Sequence, residues 1–279
     1  MHKVGSKREN KVGNKVGNTL ALWRAGASVA WRTVATAFSF AAFGLGGLVL
    51  RVLVFPLLHL LVWRREARTA GARAIIRWSF RFYIGLMRCV GVLRYDLRGL
   101  EKLERGGLLI LANHPTLIDT IFLMAYVKQA DCIVKSDLWN NPFTRGPVRA
   151  AGYINNTGGA ELVDACLVSL ARGNNLIIFP EGTRTPCSGE IVLKRGAANI
   201  AVRGQRDVTP VLIRCLPKTL GKGEPWWRVP ARRAYFEITV QDDLAIGEFT
   251  GGGASDVMAA RTLTNHLQHY FSGKQEQHA

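Results

Sequence analysis

A chain of 279 residues with 48% apolar side chains is long enough to bury one large domain core with appendages, which excludes a wholly disordered protein. The 37 Lys and Arg against 20 Asp and Glu give a net charge of +17, a balance that bears on partners, nucleic acid or an anionic membrane surface, and not on fold. Five scattered cysteines (Cys89, Cys132, Cys166, Cys187, Cys215), odd in number and without a C-x-x-C pair, exclude a disulfide framework. They read as reduced thiols in or near a core, and no structural zinc or other metal is expected.

In chain order, residues 1–25 form a basic tail. Its first 18 residues, with "KVGN" twice in tandem, hold too little apolar surface to offset the entropy of ordering and are expected to be disordered. No cleavable signal peptide is expected. From Val34 to Leu50 the chain carries 17 residues without a charge; Arg51 interrupts, and Val52 to Trp63 adds 12 more. As one straight helix this run would reach about 45 Å, against roughly 30 Å of bilayer hydrocarbon. Gly44, Gly46, Gly47 and Pro56 offer places to bend, and basic residues flank both ends. The expectation is a helical hairpin or bent re-entrant segment with both ends cytoplasmic, with a single span or a buried core hairpin as alternatives. From Ala72 to Val90, Arg73, Arg77, Arg81 and Arg88 share one narrow arc at 100° per residue, with Ile75, Ile76, Phe82, Tyr83 and Met87 opposite. This is a helix packed on the domain with a solvated basic face, or one lying in the lipid interface. Residues 26–90 are therefore taken as a membrane-associated helical segment.

Residues 91–279 have the texture of an α/β domain. Short apolar runs suit buried strands at Leu93–Leu97, Leu108–Ala112, Cys132–Val134, Gly152–Ile154, Leu176–Phe179, Val208–Ile213 and Tyr235–Val240. Helical stretches alternate with them at Thr116–Tyr126, Gly159–Arg172, Leu193–Arg203 and Ser255–Phe271. The alternation predicts a mixed, mostly parallel central sheet flanked by helices. Ligands of such sheets sit beyond the carboxyl ends of the strands, where His114 and Glu181 fall. His266 and His269 read as two surface histidines on the last helix.

The chemistry concentrates in two stretches. In "LANHPTLIDTIFL" (Leu111–Leu123), His114 and Asp119 bracket a strand-to-helix corner. Thr116 and Asp119 match a capping box, which would explain the aspartate without catalysis. The alternative is an imidazole general base whose tautomer is held by the carboxylate. No serine or cysteine lies nearby in sequence, which favours direct deprotonation of a hydroxyl over a covalent acyl-enzyme. In "LIIFPEGTRT" (Leu176–Thr185), a second strand ends at Glu181, Gly182, Thr183 and Arg184.

Asn113-His114-x4-Asp119 followed by Phe179-Pro180-Glu181-Gly182-Thr183-Arg184 resembles the lysophospholipid acyltransferase family, which includes 1-acylglycerol-3-phosphate acyltransferases (PlsC-like). The likeness extends from about Leu93 to Ile213 through Lys135 in "IVKSDLWNNP", the basic run in "LKRGAANIAV" and Pro210 in "VTPVLI". It implies the glycerolipid acyltransferase fold and acyl transfer from acyl-CoA or acyl-carrier protein to a lipid hydroxyl. His114 would be the general base and Asp119 its orienting carboxylate. Lys135 would stabilise an oxyanion or a phosphate, and Asn113, Asn155, Asn156, Glu181, Gly182, Thr183 and Arg184 would contact the acceptor. It implies no metal or redox cofactor, with membrane lipids and the acyl donor as partners. The expected place is the cytoplasmic face of a membrane, in a bacterium the inner one.

One departure bears on the acceptor. Where family members acting on lysophosphatidic acid carry a Gly-x-Phe-Ile-x-Arg-like run, this chain has Gly152-Tyr153-Ile154-Asn155-Asn156-Thr157. An asparagine amide does not replace the charge of a bidentate arginine. The acceptor is then lysophosphatidate-like with another cation substituting, or a specialised lipid such as those of aryl polyene-type pathways. A third reading is a non-catalytic basic protein that binds membrane or RNA. In "LPKTLGKGEPWWRVPARR" (Leu216–Arg233), tryptophans interleave with cations, which suits a headgroup layer, single-stranded nucleic acid or a plain surface loop; beside the apolar segment, membrane contact is the reading taken and nucleic acid is not expected.

Overall fold

The computed structural model describes residues 5–276 apart from 141–143, 157, 187, 252 and 254; of residues 5–25, 137–138 and 274–276 it describes only the backbone. The expectations for Cys187, Thr157 and the first four residues lie outside the described residues.

Seven strands form one sheet: β1 (Leu93–Arg98), β2 (Leu109–Ala112), β3 (Ala130–Val134), β4 (Ile154–Asn155), β5 (Asn175–Ile178), β6 (Val208–Leu216) and β7 (Ala234–Val240). The order is β1-β7-β6-β2-β5-β3-β4. Every neighbouring pair is parallel except β6 and β7, which are antiparallel. This is the mixed, mostly parallel sheet that the alternation predicts. The central strands are short and wholly buried because both sheet faces are covered. In β2 the two-residue period sends Ile110 and Ala112 into one core and Leu109 and Leu111 into the other. The first core packs under α3 (Arg65–Cys89) and α4 (Asp119–Tyr126); the second packs under α7 (Gly159–Ala171), α8 (Gly196–Gly204) and α10 (Asp256–Glu276). The intervening helices are α5 (Ser136–Asn140), α6 (Arg145–Ala150) and α9 (Gly247–Thr250).

The amino-terminal region differs from expectation in three respects. From Gly5 onward the tail is helical, as the start of α1 (Gly5–Val49). No proline interrupts residues 5–49, and adding a turn to an existing helix costs far less than nucleating one. Second, the apolar run does not bend at its glycines. It continues through a π-helical turn (Leu50–Val54) into α2 (Phe55–Leu61), and the chain reverses only at residues 62–64. The wider turn, in which the Phe55 amide donates to the Leu50 carbonyl, accommodates Pro56, which lacks an N–H and would crowd a preceding carbonyl in a regular helix. The hairpin is thus made with α3, which runs back along α1. Phe43 lies 5.1 Å from the Tyr83 ring, and Trp31 Nε1 donates to the Val90 carbonyl at 3.0 Å.

Third, the arginine arc of α3 is solvated only in part: Arg88 is exposed, Arg77 and Arg81 are half-buried. Arg73 is buried and donates to Asp131 Oδ2 at 2.9 Å and to the Ala151 carbonyl at 2.8 Å. Ser169 completes the cluster by donating to the same Asp131 oxygen at 2.5 Å. The Arg81 guanidinium sits 5.1 Å over the Tyr126 ring and that of Arg88 5.3 Å over Tyr95. The cations turn toward the domain because a buried carboxylate and two phenol faces await them there. Phe82, expected on the packed side, is instead 76% exposed beside exposed Trp78. α1, the π-helical turn and α2 carry Val34, Leu45, Leu53, Leu57 and Leu60, all exposed.

Candidate active site

Because β2, β3, β4 and β5 are mutually parallel, their carboxyl ends form one row. His114 follows β2, Glu181–Arg184 follow β5, Lys135 follows β3, and Asn155 ends β4. Neighbouring strands lie about 4.8 Å apart, so Asn155 stands three strand spacings, roughly 14 Å, from His114.

The corner after β2 joins the two readings that the sequence left open. Asp119 Oδ2 lies 3.0 Å from His114 Nδ1 and accepts the Thr116 amide at 2.6 Å. Asp119 Oδ1 accepts the Thr116 hydroxyl at 2.6 Å, and that hydroxyl accepts the Ile118 amide at 3.2 Å. One carboxylate therefore stabilises the start of α4 and orients the imidazole. Burial raises the Asp119 pKa, while the hydrogen bond and charge of His114 and the two Thr116 bonds oppose the rise. With Nδ1–H on Asp119, Nε2 is the nitrogen left to receive a proton, and the side chain keeps 15% exposure. Phe179, at the end of β5, stacks on the ring at 4.2 Å between centroids and fixes its plane.

Glu181 is buried and ties the two corners together. Its Oε1 accepts the His114 amide and the Thr185 hydroxyl, both at 2.9 Å, while the Thr185 amide donates to the His114 carbonyl at 2.7 Å. Glu181 Oε2 is buried without a hydrogen-bond partner. Burial raises this carboxyl's pKa, against the lowering effect of its bonds to His114 and Thr185. Gly182 takes φ +67°, and a Cβ there would stand 2.9 Å from Lys194 Nζ, so the lysine side chain lies across this turn.

The other expected site residues divide. Asn113 is not oriented toward an acceptor: its amide donates to the Ile213 carbonyl and accepts the Ile213 amide, both at 2.8 Å, extending the β2–β6 pairing past the strand end. Arg184 Nη1 donates to the Leu220 and Gly221 carbonyls at 2.9 and 2.8 Å and so holds a loop. Thr183 is half-buried in the same turn, and Lys135 is exposed at the end of β3. Asn155 and Asn156 meet Ser136, whose hydroxyl reaches Asn155 Oδ1 at 3.4 Å and the Asn156 carbonyl at 3.2 Å. Phe179, Thr185 and Lys194 fall in the stretches that carry the resemblance, but no role was expected of them. Thr185 follows directly on the motif, but nothing in its identity announces a bond to Glu181. Among the described residues, no three His, Cys, Asp or Glu side chains cluster as metal ligands would. Four free cysteines are described: Cys166 and Cys215 buried, Cys132 half-buried and Cys89 exposed.

The fold is thus a mostly parallel α/β sheet with a carboxylate-oriented histidine at its strand ends. Residues 94–214 match the family model described as Acyltransferase. The chain is similar to 1-acyl-sn-glycerol-3-phosphate acyltransferases of Pseudomonas aeruginosa (30% identity, over 51% of this chain and 58% of the relative) and Helicobacter pylori (34%, over 42% and 53%). It thus spans a little over half the length of these curated relatives. In fold it is similar to the crystal structure of PlsC, the 1-acyl-sn-glycerophosphate acyltransferase of Thermotoga maritima, with a TM-score of 0.64 and 18% identity, covering 90% of this chain and 98% of that one.

Proposed function

We propose that the chain transfers an acyl group from a thioester, acyl-CoA or acyl-carrier protein, to the hydroxyl of a lysophospholipid-type acceptor. The observation that carries this reading is the 3.0 Å contact between His114 Nδ1 and buried Asp119. His114 Nε2 takes the hydroxyl proton as the alcohol oxygen attacks the thioester carbonyl. The tetrahedral intermediate collapses with cleavage of the C–S bond, and the imidazolium returns its proton to the departing thiolate. Asp119 stabilises the imidazolium, and the Phe179 stack keeps the ring in register. The hydrogen-bond partner of the ring is a carboxylate and not a serine or cysteine nucleophile, which supports direct transfer without an acyl-enzyme. Lys135 and Lys194 are exposed cations at the strand-end row, suited to a phosphate or an oxyanion. No metal or redox group has a part in this reading.

A second acceptor reading rests on Asn155 and Asn156. Ser136 engages the Asn155 side chain and the Asn156 carbonyl, and neither asparagine supplies a charge for a phosphate, which favours a specialised lipid alcohol. An acceptor panel of lysophosphatidic acid, other lysophospholipids and neutral lipid alcohols, with both thioester donors, separates the two. Acylation of lysophosphatidic acid that falls roughly 10²- to 10⁴-fold in His114→Ala supports the first reading. Activity restricted to another lipid alcohol favours the second, and wild type matching His114→Ala with every acceptor removes both.

The described helix Gly26–Leu61 is long and apolar enough to cross a membrane. It is nevertheless bound to the domain at points far apart. Arg32 is held by the carbonyls of residues 230–231, and Phe55 is buried, 23 residues and about 35 Å further along. A crossing helix would carry one of these contacts out of the water that the domain needs. The reading is an enzyme lying on the cytoplasmic face of a bacterial inner membrane, with the outer sides of α1 and α2 in lipid.

A further inference from the structure

We propose that residues 216–233 bind anionic headgroups of the bilayer on which α1 lies, and couple that contact to the His114 corner. This segment joins β6 to β7 and carries five cations (Lys218, Lys222, Arg228, Arg232, Arg233) against one acid, Glu224. Glu224 is turned inward, its Oε2 accepting the Gly221 amide at 2.9 Å. Lys218, Arg228 and Arg232 are exposed, and Trp227 is 60% exposed. Such an array of indole and cations matches the layer where acyl chains meet charged headgroups. A groove of about 500 Å³ lies at the foot of the segment, between Leu216, Pro217, Ala231, Arg232 and Arg233, with apolar walls and two guanidinium groups. Arg233 is fixed there because its Nε donates to the Gly91 carbonyl at 3.0 Å, and Gly91, at φ +85°, leaves room for the guanidinium.

Two observations favour a bilayer over an acidic protein as occupant. The Trp226 ring lies 5.8 Å from that of Phe40, so the segment continues the apolar face of α1. Arg32 of α1 also holds it, donating to the Pro230 and Ala231 carbonyls at 3.2 and 2.6 Å. The other end of the same segment reaches the proposed catalytic corner. The Leu220 carbonyl accepts the Leu117 amide at 3.1 Å and Arg184 Nη1 at 2.9 Å. Leu117 lies between His114 and Asp119 in the chain. Headgroups pressing on residues 226–232 therefore act on a continuous path of contacts that ends at the backbone carrying the histidine–aspartate pair.

This inference rests on the reading of α1 as lipid-facing, and the test separates the two. The full chain and its Lys218→Gln/Arg228→Gln/Arg232→Gln variant are sedimented with vesicles of phosphatidylcholine alone or mixed with phosphatidylglycerol, at low and high salt. Binding to neutral vesicles reports on α1 and is expected to be equal in both proteins. On anionic vesicles at low salt the variant is expected to bind about 100-fold more weakly, from about fivefold per cation removed. The Leu117 amide is expected to exchange hydrogen more slowly on anionic vesicles in the wild type and to be unaffected in the variant. An anionic preference retained by the variant overturns the proposal. So does a variant that keeps its vesicle binding but loses affinity for an acidic acyl-carrier protein, because the surface would then be a protein-docking site. Identical Leu117 exchange with and without vesicles overturns the coupling.

Discussion

Single side chains at the strand ends carry two or three bonds each, so their substitutions separate folding from chemistry. Asn113→Ala leaves the buried Ile213 amide and carbonyl without partners, each costing about 1–3 kcal/mol. A loss of roughly 2–5 kcal/mol is expected in urea unfolding, with an unchanged KM for the acceptor. Glu181 provides a pH signature. Burial raises its carboxyl above the ordinary 4.5, so the folded state favours the protonated form. Its contribution to stability is complete below that ordinary value and is lost as pH rises through the raised one. Wild type is therefore expected to lose stability relative to Glu181→Gln as pH rises above the ordinary 4.5, read from urea midpoints at each pH. Parallel curves would mean that the carboxyl has its ordinary pKa. At this scale the residue types at the site were legible, since a histidine and carboxylates at strand ends carry their chemistry in their names. Their division of labour was not. Asn113 and Arg184 are engaged by backbone groups 100 and 36 positions away, and no local pattern encodes such partners.

Among the elements, α3 shows where periodicity stops being sufficient. Spacing places four arginines on one arc, but the burial of Arg73 and the ring contacts of Arg81 and Arg88 depend on Asp131, Tyr126 and Tyr95, which belong to other elements. Removing Arg73 alone leaves Asp131 buried and uncompensated, so Arg73→Ala is expected to cost roughly 3–5 kcal/mol in equilibrium unfolding. The double change Arg73→Met/Asp131→Leu removes both charges and is expected to recover most of that loss. A double variant as unstable as the single one would show that packing, not charge, is what the pair supplies. The strands were read to within a few residues because β2 and β5 are short apolar runs in a doubly covered sheet. The site of chain reversal in the hairpin was misjudged, because a π-helical turn lets a helix run on through Pro56.

Across the whole molecule, exposed large apolar side chains are densest in residues 31–63, and the cations of residues 216–233 lie beside α1. Leu53 of the π-helical turn and Leu57 and Leu60 of α2 are all exposed. Changing all three to serine is expected to move the protein from the membrane fraction to the soluble one with little change in melting temperature. Retention of the variant on membranes would place the lipid contact elsewhere.

The sequence alone determined the class of sheet, the order of its elements and the presence of a histidine–aspartate corner, because hydrophobic period and motif spacing are local properties of the chain. Only the tertiary structure decided which polar side chains serve the backbone, where the arginines of α3 point, and that α1 lies along the domain. Each of those outcomes turns on a partner far away in sequence, and desolvation makes a buried charge or amide seek such a partner wherever the fold supplies it.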